Sequence, residues 1–137
     1  MHTYEIQLRR TDIDAQQHLN NVVFAQFLDK ARADLLDRHE SSGAPWRVVV
    51  AGQRLSYRQP LLFRTAPVTV TSIVERIGTT SFTLAHQVRD HENLYLSATS
   101  TLVAVGACGE PGHDTTAPRP LTGSEREYLM TLAAPRA

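Results

Sequence analysis

Cysteine is almost absent from this chain. Cys108 is the single one in 137 residues, so no internal disulfide can form. It sits in Gly106-Ala107-Cys108-Gly109 with no basic neighbour in sequence, and a nucleophilic thiol needs an electropositive surrounding that this run does not supply. An excess of either charge is missing as well. Fourteen Lys and Arg cancel fourteen Asp and Glu, so nothing in bulk charge points to nucleic acid or an anionic membrane. The six histidines add positive charge only at mildly acidic pH. No apolar run approaches the roughly 20 residues that span a bilayer. Met1-His2-Thr3-Tyr4-Glu5 lacks the charged and apolar regions of a signal peptide, so the expected location is cytoplasmic.

Several catalytic signatures are also missing. No G-x-S-x-G elbow is present, which argues against an α/β-hydrolase triad, and no G-x-x-x-x-G-K-[ST] run cradles phosphate. Gly106, Gly109 and Gly112 follow a strand, but their spacing is wrong for dinucleotide binding. The histidines lack H-E-x-x-H spacing, and a lone cysteine excludes a cysteine-rich zinc site, so neither metal nor cofactor is expected. His86 and His91, five apart around a turn, read as a cross-strand polar residue and a solvated turn residue.

What is present is an ordinary globular composition, 42% hydrophobic and 20% charged, and a length that suits one domain, residues 1–137. Tyr4 to Leu8 alternates apolar and polar residues and reads as a strand. Val22 to His39 contains no glycine or proline, and Phe24, Phe27, Leu28, Ala31, Leu35 and Leu36 recur at helical spacing. Asn20 or Asn21 suits the N-cap, and Ser41-Ser42-Gly43-Ala44-Pro45 ends the helix. Strands follow over Trp46 to Tyr57, Val68 to Ile77, Ser81 to Asp90 and Leu94 to Val105. In the second of these, Val68, Val70, Ser72 and Val74 share a face, with Ile73 and Ile77 on the other. Residues 106–120 read as a mobile loop, and 121–137 as a tail whose Leu121-Thr122-Gly123-Ser124-Glu125 caps a short helix ending near Leu132. The order gives an α+β domain in which one long helix covers a sheet of about five antiparallel strands. Such a sheet leaves an edge strand and part of a face for another subunit to cover.

The densest polar segment is Thr11-Asp12-Ile13-Asp14-Ala15-Gln16-Gln17-His18-Leu19-Asn20-Asn21, placed just before the long helix. Asp14 suits a nucleophile on a carbonyl, or a base that activates water. The helix start can offer N–H groups to an oxyanion, and His18 can bind the carbonyl or orient water. Asn20 and Asn21 can hold the loop or bind substrate. Plain capping chemistry explains the same residues, and Asp12 reads as a brace or an exposed side chain.

Asp12-Ile13-Asp14-Ala15-Gln16-Gln17-His18-Leu19-Asn20-Asn21-Val22-Val23-Phe24 resembles the signature of hot-dog-fold acyl thioesterases, in the 4-hydroxybenzoyl-CoA thioesterase branch and the related acyl-ACP thioesterases. Phe27-Leu28-Asp29-Lys30-Ala31-Arg32, Tyr57-Arg58-Gln59-Pro60-Leu61 and Ile77-Gly78-Thr79-Thr80-Ser81-Phe82 resemble further segments of that family, so the likeness covers about residues 4 to 105. The resemblance implies a hot-dog fold, a long central helix wrapped by the sheet, assembled as a homodimer or homotetramer with its sites at the subunit interface. It implies Asp14 as the catalytic carboxylate, helped by His18, and Asn20, Asn21 and Val22 at the oxyanion-binding helix entry. Gln16 and Ser81 (or its neighbour Thr80) are candidates for substrate contact, though strand capping explains the last two as well. Two departures stand out. Gln16 replaces the acyl-ACP branch's catalytic asparagine, and Gln17 replaces a glycine common before the histidine, where φ > 0 is easily reached.

The resulting expectation is hydrolysis of acyl-CoA or acyl-carrier-protein thioesters to free acid and thiol, with no cofactor. Scattered Arg54, Arg58, Arg64 and Arg76 can hold nucleotide phosphates or simply face solvent. The alternatives are a non-catalytic acyl-CoA-binding hot-dog module and a hot-dog hydratase or dehydratase, which usually spaces its Asp and His differently.

Overall fold

A computed structural model describes residues 1–40, 46–106 and 117–133. Strand β1 (His2–Ile6) leads through a short 3-10 turn (Arg10–Asp12) to helix α1 (Asn21–Glu40). Strands β2 (Val48–Tyr57), β3 (Val68–Ile77), β4 (Ser81–Arg89) and β5 (Leu94–Ala104) follow, and α2 (Gly123–Thr131) comes last. The strands form one sheet in the order β1-β3-β4-β5-β2. Every pairing is antiparallel. This is the α+β hot-dog architecture, with α1 laid along one face of the sheet.

Period-2 alternation sorts the strands onto two faces. On β4, Phe82, Leu84, His86 and Val88 are buried, while Thr83, Ala85 and Gln87 are half-buried on the outer face. From α1, Phe24, Phe27, Leu28, Ala31 and Leu35 lie at helical spacing and are buried against the inner face. The core divides into two apolar clusters. One gathers Phe24 and Leu28 with Ile6, Val68, Val88 and Leu96, and the other Leu35 with Trp46, Val74, Phe82, Leu84 and Leu102.

A polar row is among the buried inner-face residues. His2 pairs opposite Ser72, and Ser72 opposite His86. Ser72 Oγ lies 2.8 Å from His86 Nδ1, and Ser100 Oγ 3.1 Å from His86 Nε2. The Ser100 hydroxyl donates to Gln53 Oε1 at 3.0 Å, and Arg32 donates to the same oxygen at 2.8 Å. Asp29 pairs with Arg32 at the helix surface, and His2 Nε2 meets Asp34 at 2.7 Å. Hydrogen bonding makes such burial tolerable, since an unmet polar group in a core costs about 1–3 kcal/mol.

Several boundaries depart from expectation. β1 starts at His2 and stops at Ile6, although Leu8 beyond it is buried. A bulge between Val74 and Arg76 reverses the alternation of β3, so Ile77 pairs with Phe82 and packs on the core instead of facing away with Ile73. The segment after β5 is tied down at its described ends: Gly106 N–H donates to Ala117 O at 2.8 Å, and Arg119 N–H to Ala104 O at 2.9 Å. Cys108, most of the 106–120 loop and the helix stop at 41–45 lie outside the described residues. Helix α2 carries the expected cap. Glu125 N–H donates to Thr122 Oγ1 at 3.1 Å, and Thr122 N–H to Glu125 Oε1 at 2.8 Å. No described helix is long and apolar enough to cross a membrane.

Candidate functional site

The polar loop closes as a small hairpin, with Ile13 bridged to Leu19. Its base is braced by Asp12, which is buried and accepts from Arg9 N–H at 3.0 Å and from the Arg9 guanidinium at 2.9 Å. Burial pushes the Asp12 carboxyl up, but the Arg9 bonds and charge outweigh it and hold the group below its ordinary range. Of the two carboxylates in the D-x-D pair, Asp12 is therefore the brace.

Asp14 is exposed and organises the tip. Its N–H donates to His18 O at 2.8 Å, and its carbonyl accepts from Gln17 N–H at 3.0 Å. Its Oδ1 accepts from Gln16 N–H at 2.9 Å and His18 N–H at 3.2 Å, an Asx turn that immobilises one carboxylate oxygen. No described donor meets Oδ2. Closing the turn puts Gln17 at φ 69°, the left-handed region that glycine reaches without steric cost.

Loop and helix meet at Asn20. Its Oδ1 accepts from Val22 N–H at 3.1 Å and its carbonyl from Val23 N–H at 2.9 Å, which makes Asn20 the N-cap. The Asn21 N–H meets no acceptor among the described residues. It is thus the open donor at the positive end of a 20-residue helix. Leu19 N–H donates to Leu61 O at 2.7 Å, and His18 bridges Leu62, so the loop is pinned beside the end of β2.

These elements enclose a cavity of about 420 Å³ bordered by Asp14, Gln16, His18, Asn20, Asn21 and Phe24, with Tyr57 to Pro60 on the opposite side. The Phe24 and Tyr57 rings are 5.8 Å apart, giving it one aromatic wall. An exposed carboxylate oxygen, an imidazole and an open helix N–H around one largely polar cleft can together bind a carbonyl, stabilise negative charge on its oxygen and take a proton from water.

Five of the sequence candidates thus border one cavity: Asp14, Gln16, His18, Asn20 and Asn21. Val22 follows them on the helix, but its side chain is exposed outside the cavity and its N–H is already occupied by Asn20. Ser81 is at the other end of the sheet, pairing with Val103, whereas Tyr57 pairs with Leu96. Its carbonyl closes the turn by accepting from Gly78 N–H, and Thr80 O accepts from Ala104 N–H, extending the β4–β5 pairing by one step. Tyr57 and Gln59 border the cavity without having been singled out, and the only signal for them was the Tyr-x-x-Pro run. Among the described residues no three His, Cys, Asp or Glu side chains come together as metal ligands.

The sequence profile of the thioesterase-like superfamily matches residues 8–118. The chain belongs to that superfamily. Solved structures repeat the fold of this thioesterase-like chain over nearly its whole length. A predicted thioesterase from Bacillus stearothermophilus is 22% identical, covers 98% of each chain and superposes with a TM-score of 0.84. A protein from Pseudomonas aeruginosa is 28% identical over 92% of this chain and 95% of its own, with a TM-score of 0.77. A thioesterase from Thermus thermophilus, solved with coenzyme A and zinc, is 24% identical over 95% of this chain and 92% of its own, with a TM-score of 0.76. No curated protein sequence matches the chain.

Proposed function

We propose that the protein hydrolyses acyl thioesters of coenzyme A, or of an acyl carrier protein, with Asp14 as the reacting carboxylate. The observation that carries this reading is the pairing of the unmet Asp14 Oδ2 with the open Asn21 N–H on one cavity. The substrate carbonyl oxygen points at the Asn21 N–H, where charge developing on it meets the helix N-terminus. His18 holds the carbonyl from the side. Asp14 either takes a proton from the attacking water or adds to the carbonyl carbon itself, and in the second case water then cleaves the mixed anhydride. In both routes the C–S bond breaks, the sulfur leaves as thiol with a proton, and water supplies the oxygen of the acid.

Superfamily membership supports thioester chemistry, and the Thermus thermophilus relative was solved with coenzyme A. The reaction needs no metal and no redox cofactor. Among the described residues β2 is hydrogen-bonded on one side only and exposes Val49 and Val50, so assembly through that edge as a homodimer or homotetramer is part of the proposal.

Thiol release from a panel of aromatic and fatty acyl thioesters, on coenzyme A and on carrier protein, tests the reading. Hydrolysis of part of the panel is expected, with loss in Asp14→Asn. Tight binding of acyl-CoA with no thiol released anywhere in the panel would replace it with the non-catalytic module.

A further inference from the structure

Residues 58–67 carry the chain from the end of β2 to the start of β3, and because β4 and β5 lie between those strands the connection crosses the end of the sheet. Only Leu61 among them is buried, so apolar packing holds little of this strap. Directed contacts hold it instead. At its start Tyr95 O accepts from Arg58 N–H at 2.9 Å, and Leu94 O from Gln59 Nε2 at 3.2 Å. In its middle Leu61 O takes the Leu19 N–H and Leu62 bridges His18, so the strap supports the loop that carries Asp14. Further on, Gln7 Nε2 donates to Thr65 O at 2.9 Å, and the Arg10 guanidinium lies 4.3 Å over the Phe63 ring. One carboxylate ties down the far end. Asp90 Oδ2 accepts from the Arg64 guanidinium and the Tyr95 hydroxyl, while Oδ1 accepts from Glu92 N–H at 2.9 Å and Asn93 N–H at 2.8 Å. The Tyr95 hydroxyl bond, against a smaller cost of burial and with help from these N–H donors, holds the Asp90 carboxyl well below the usual carboxylate range, so it stays charged.

We propose that Asp90, Arg64 and Tyr95 are positioning residues for the reaction at Asp14: they clamp the strap to the end of the sheet, and the strap holds His18 and Leu19 in place. The inference rests on the thioesterase reading. None of the three residues borders the candidate cavity, so each acts through the strap. Releasing the clamp leaves the first half of the strap, with Gln59 in the cavity wall, bonded through its backbone to β5. The half that supports His18 and Leu19 loses its anchor. Release therefore misaligns the reacting groups and leaves most of the substrate contacts in place. A displacement of about 1 Å at a reacting centre can cost on the order of a hundredfold in rate.

Two variants release the clamp from opposite sides. Asp90→Asn keeps an Oδ1 for the Glu92 and Asn93 N–H groups but puts an NH2 group where Oδ2 received two donors, and Arg64→Ala removes the strap's own partner. Amide hydrogen exchange reads the clamp without any substrate. In both variants the Leu19 N–H is expected to exchange about tenfold faster, while the Leu84 N–H at the centre of β4 keeps its wild-type rate. On an acyl thioester that wild type hydrolyses, kcat is expected to fall about tenfold with KM within about twofold. Arg64→Lys is expected to recover part of that loss, and the double variant to lose no more than either single one. Unchanged kcat in both variants overturns the positioning role even if exchange quickens, and so does a fall in kcat with unchanged Leu19 exchange. If Leu19 exchange quickens but wild type hydrolyses no thioester in the panel, the thioesterase reading fails while the clamp on the Asp14 loop stands.

Discussion

Asp14 and His18 are joined twice through the backbone: Asp14 N–H donates to His18 O at 2.8 Å, and His18 N–H returns a bond to Asp14 Oδ1 at 3.2 Å. The same contacts that place the reacting carboxylate also hold the backbone of its histidine neighbour, and they leave Oδ2 for chemistry.

Asn at position 14 keeps an Oδ1 for the Gln16 and His18 N–H groups but lacks the second carboxylate oxygen. Asp14→Asn is therefore expected to fold with wild-type stability while kcat falls about a hundred- to ten-thousand-fold, the usual range for loss of a catalytic base. Asp14→Ala removes the acceptor as well and is expected to lower stability by about 1 kcal/mol. Thermal unfolding beside thiol-release kinetics separates the two, and unchanged kcat in Asp14→Asn sinks the mechanism.

Asp12→Asn is expected to behave oppositely. It weakens a buried brace and leaves the Arg9 bonds incomplete, so stability drops by about 1–3 kcal/mol while kcat of the folded protein stays near wild type. The folded Asp12 carboxyl titrates below the ordinary 3.8, so its contribution is full above that pH and is lost as pH falls through the folded value. Denaturant titrations below pH 4 should show a shallower acid loss in Asp12→Asn than in wild type.

Gln17 at φ 69° predicts a gain on removing the side chain. Gln17→Gly should raise stability by about 1 kcal/mol, the scale of a left-handed residue's steric cost, which is a few degrees in Tm for a chain of this size. Gln17→Val should lower it. A fall in Tm for Gln17→Gly contradicts the backbone geometry.

His86 makes the core acid-sensitive. Burial first, then the charges of Arg32 and His2, push its pKa down from 6.5 to about 4, so the folded state holds it neutral. The unfolded chain takes up its proton near 6.5 and the folded one only near 4, so stability is full above the first value and falls by about 3 kcal/mol between them. His86→Gln retains one donor and one acceptor toward Ser72 and Ser100 without titrating. Urea midpoints of the variant should be flat across that window relative to wild type, and parallel profiles refute the assignment.

The long helix was legible because eighteen residues without glycine or proline carry one apolar stripe, and β3 because its alternation and flanking turn residues are strong local signals. The bulge that turns Ile77 inward was not, since an extra residue in a ladder is set by the partner strand. Within the site, the D-x-D…H-x-N-N run marked the loop by residue type alone. It did not distinguish Val22 from Asn21 as the open N–H, because Asn20 and Asn21 both suit a cap until the folded loop lets Asn20 Oδ1 take the Val22 N–H. Ser81 looked like a neighbour of the site by family pattern, yet strand order puts it at the far end of the sheet.

By itself the sequence determined the element order, the apolar stripe of α1, the cap of α2 and the polar loop ahead of the long helix, because each depends on interactions between residues close in the chain. Tertiary structure decided which carboxylate faces the cavity and that Tyr57 and Gln59 stand across from Asp14. Those relations join segments forty or more residues apart, and only the pairing of β2 with β5 and the packing of α1 on the sheet bring them together.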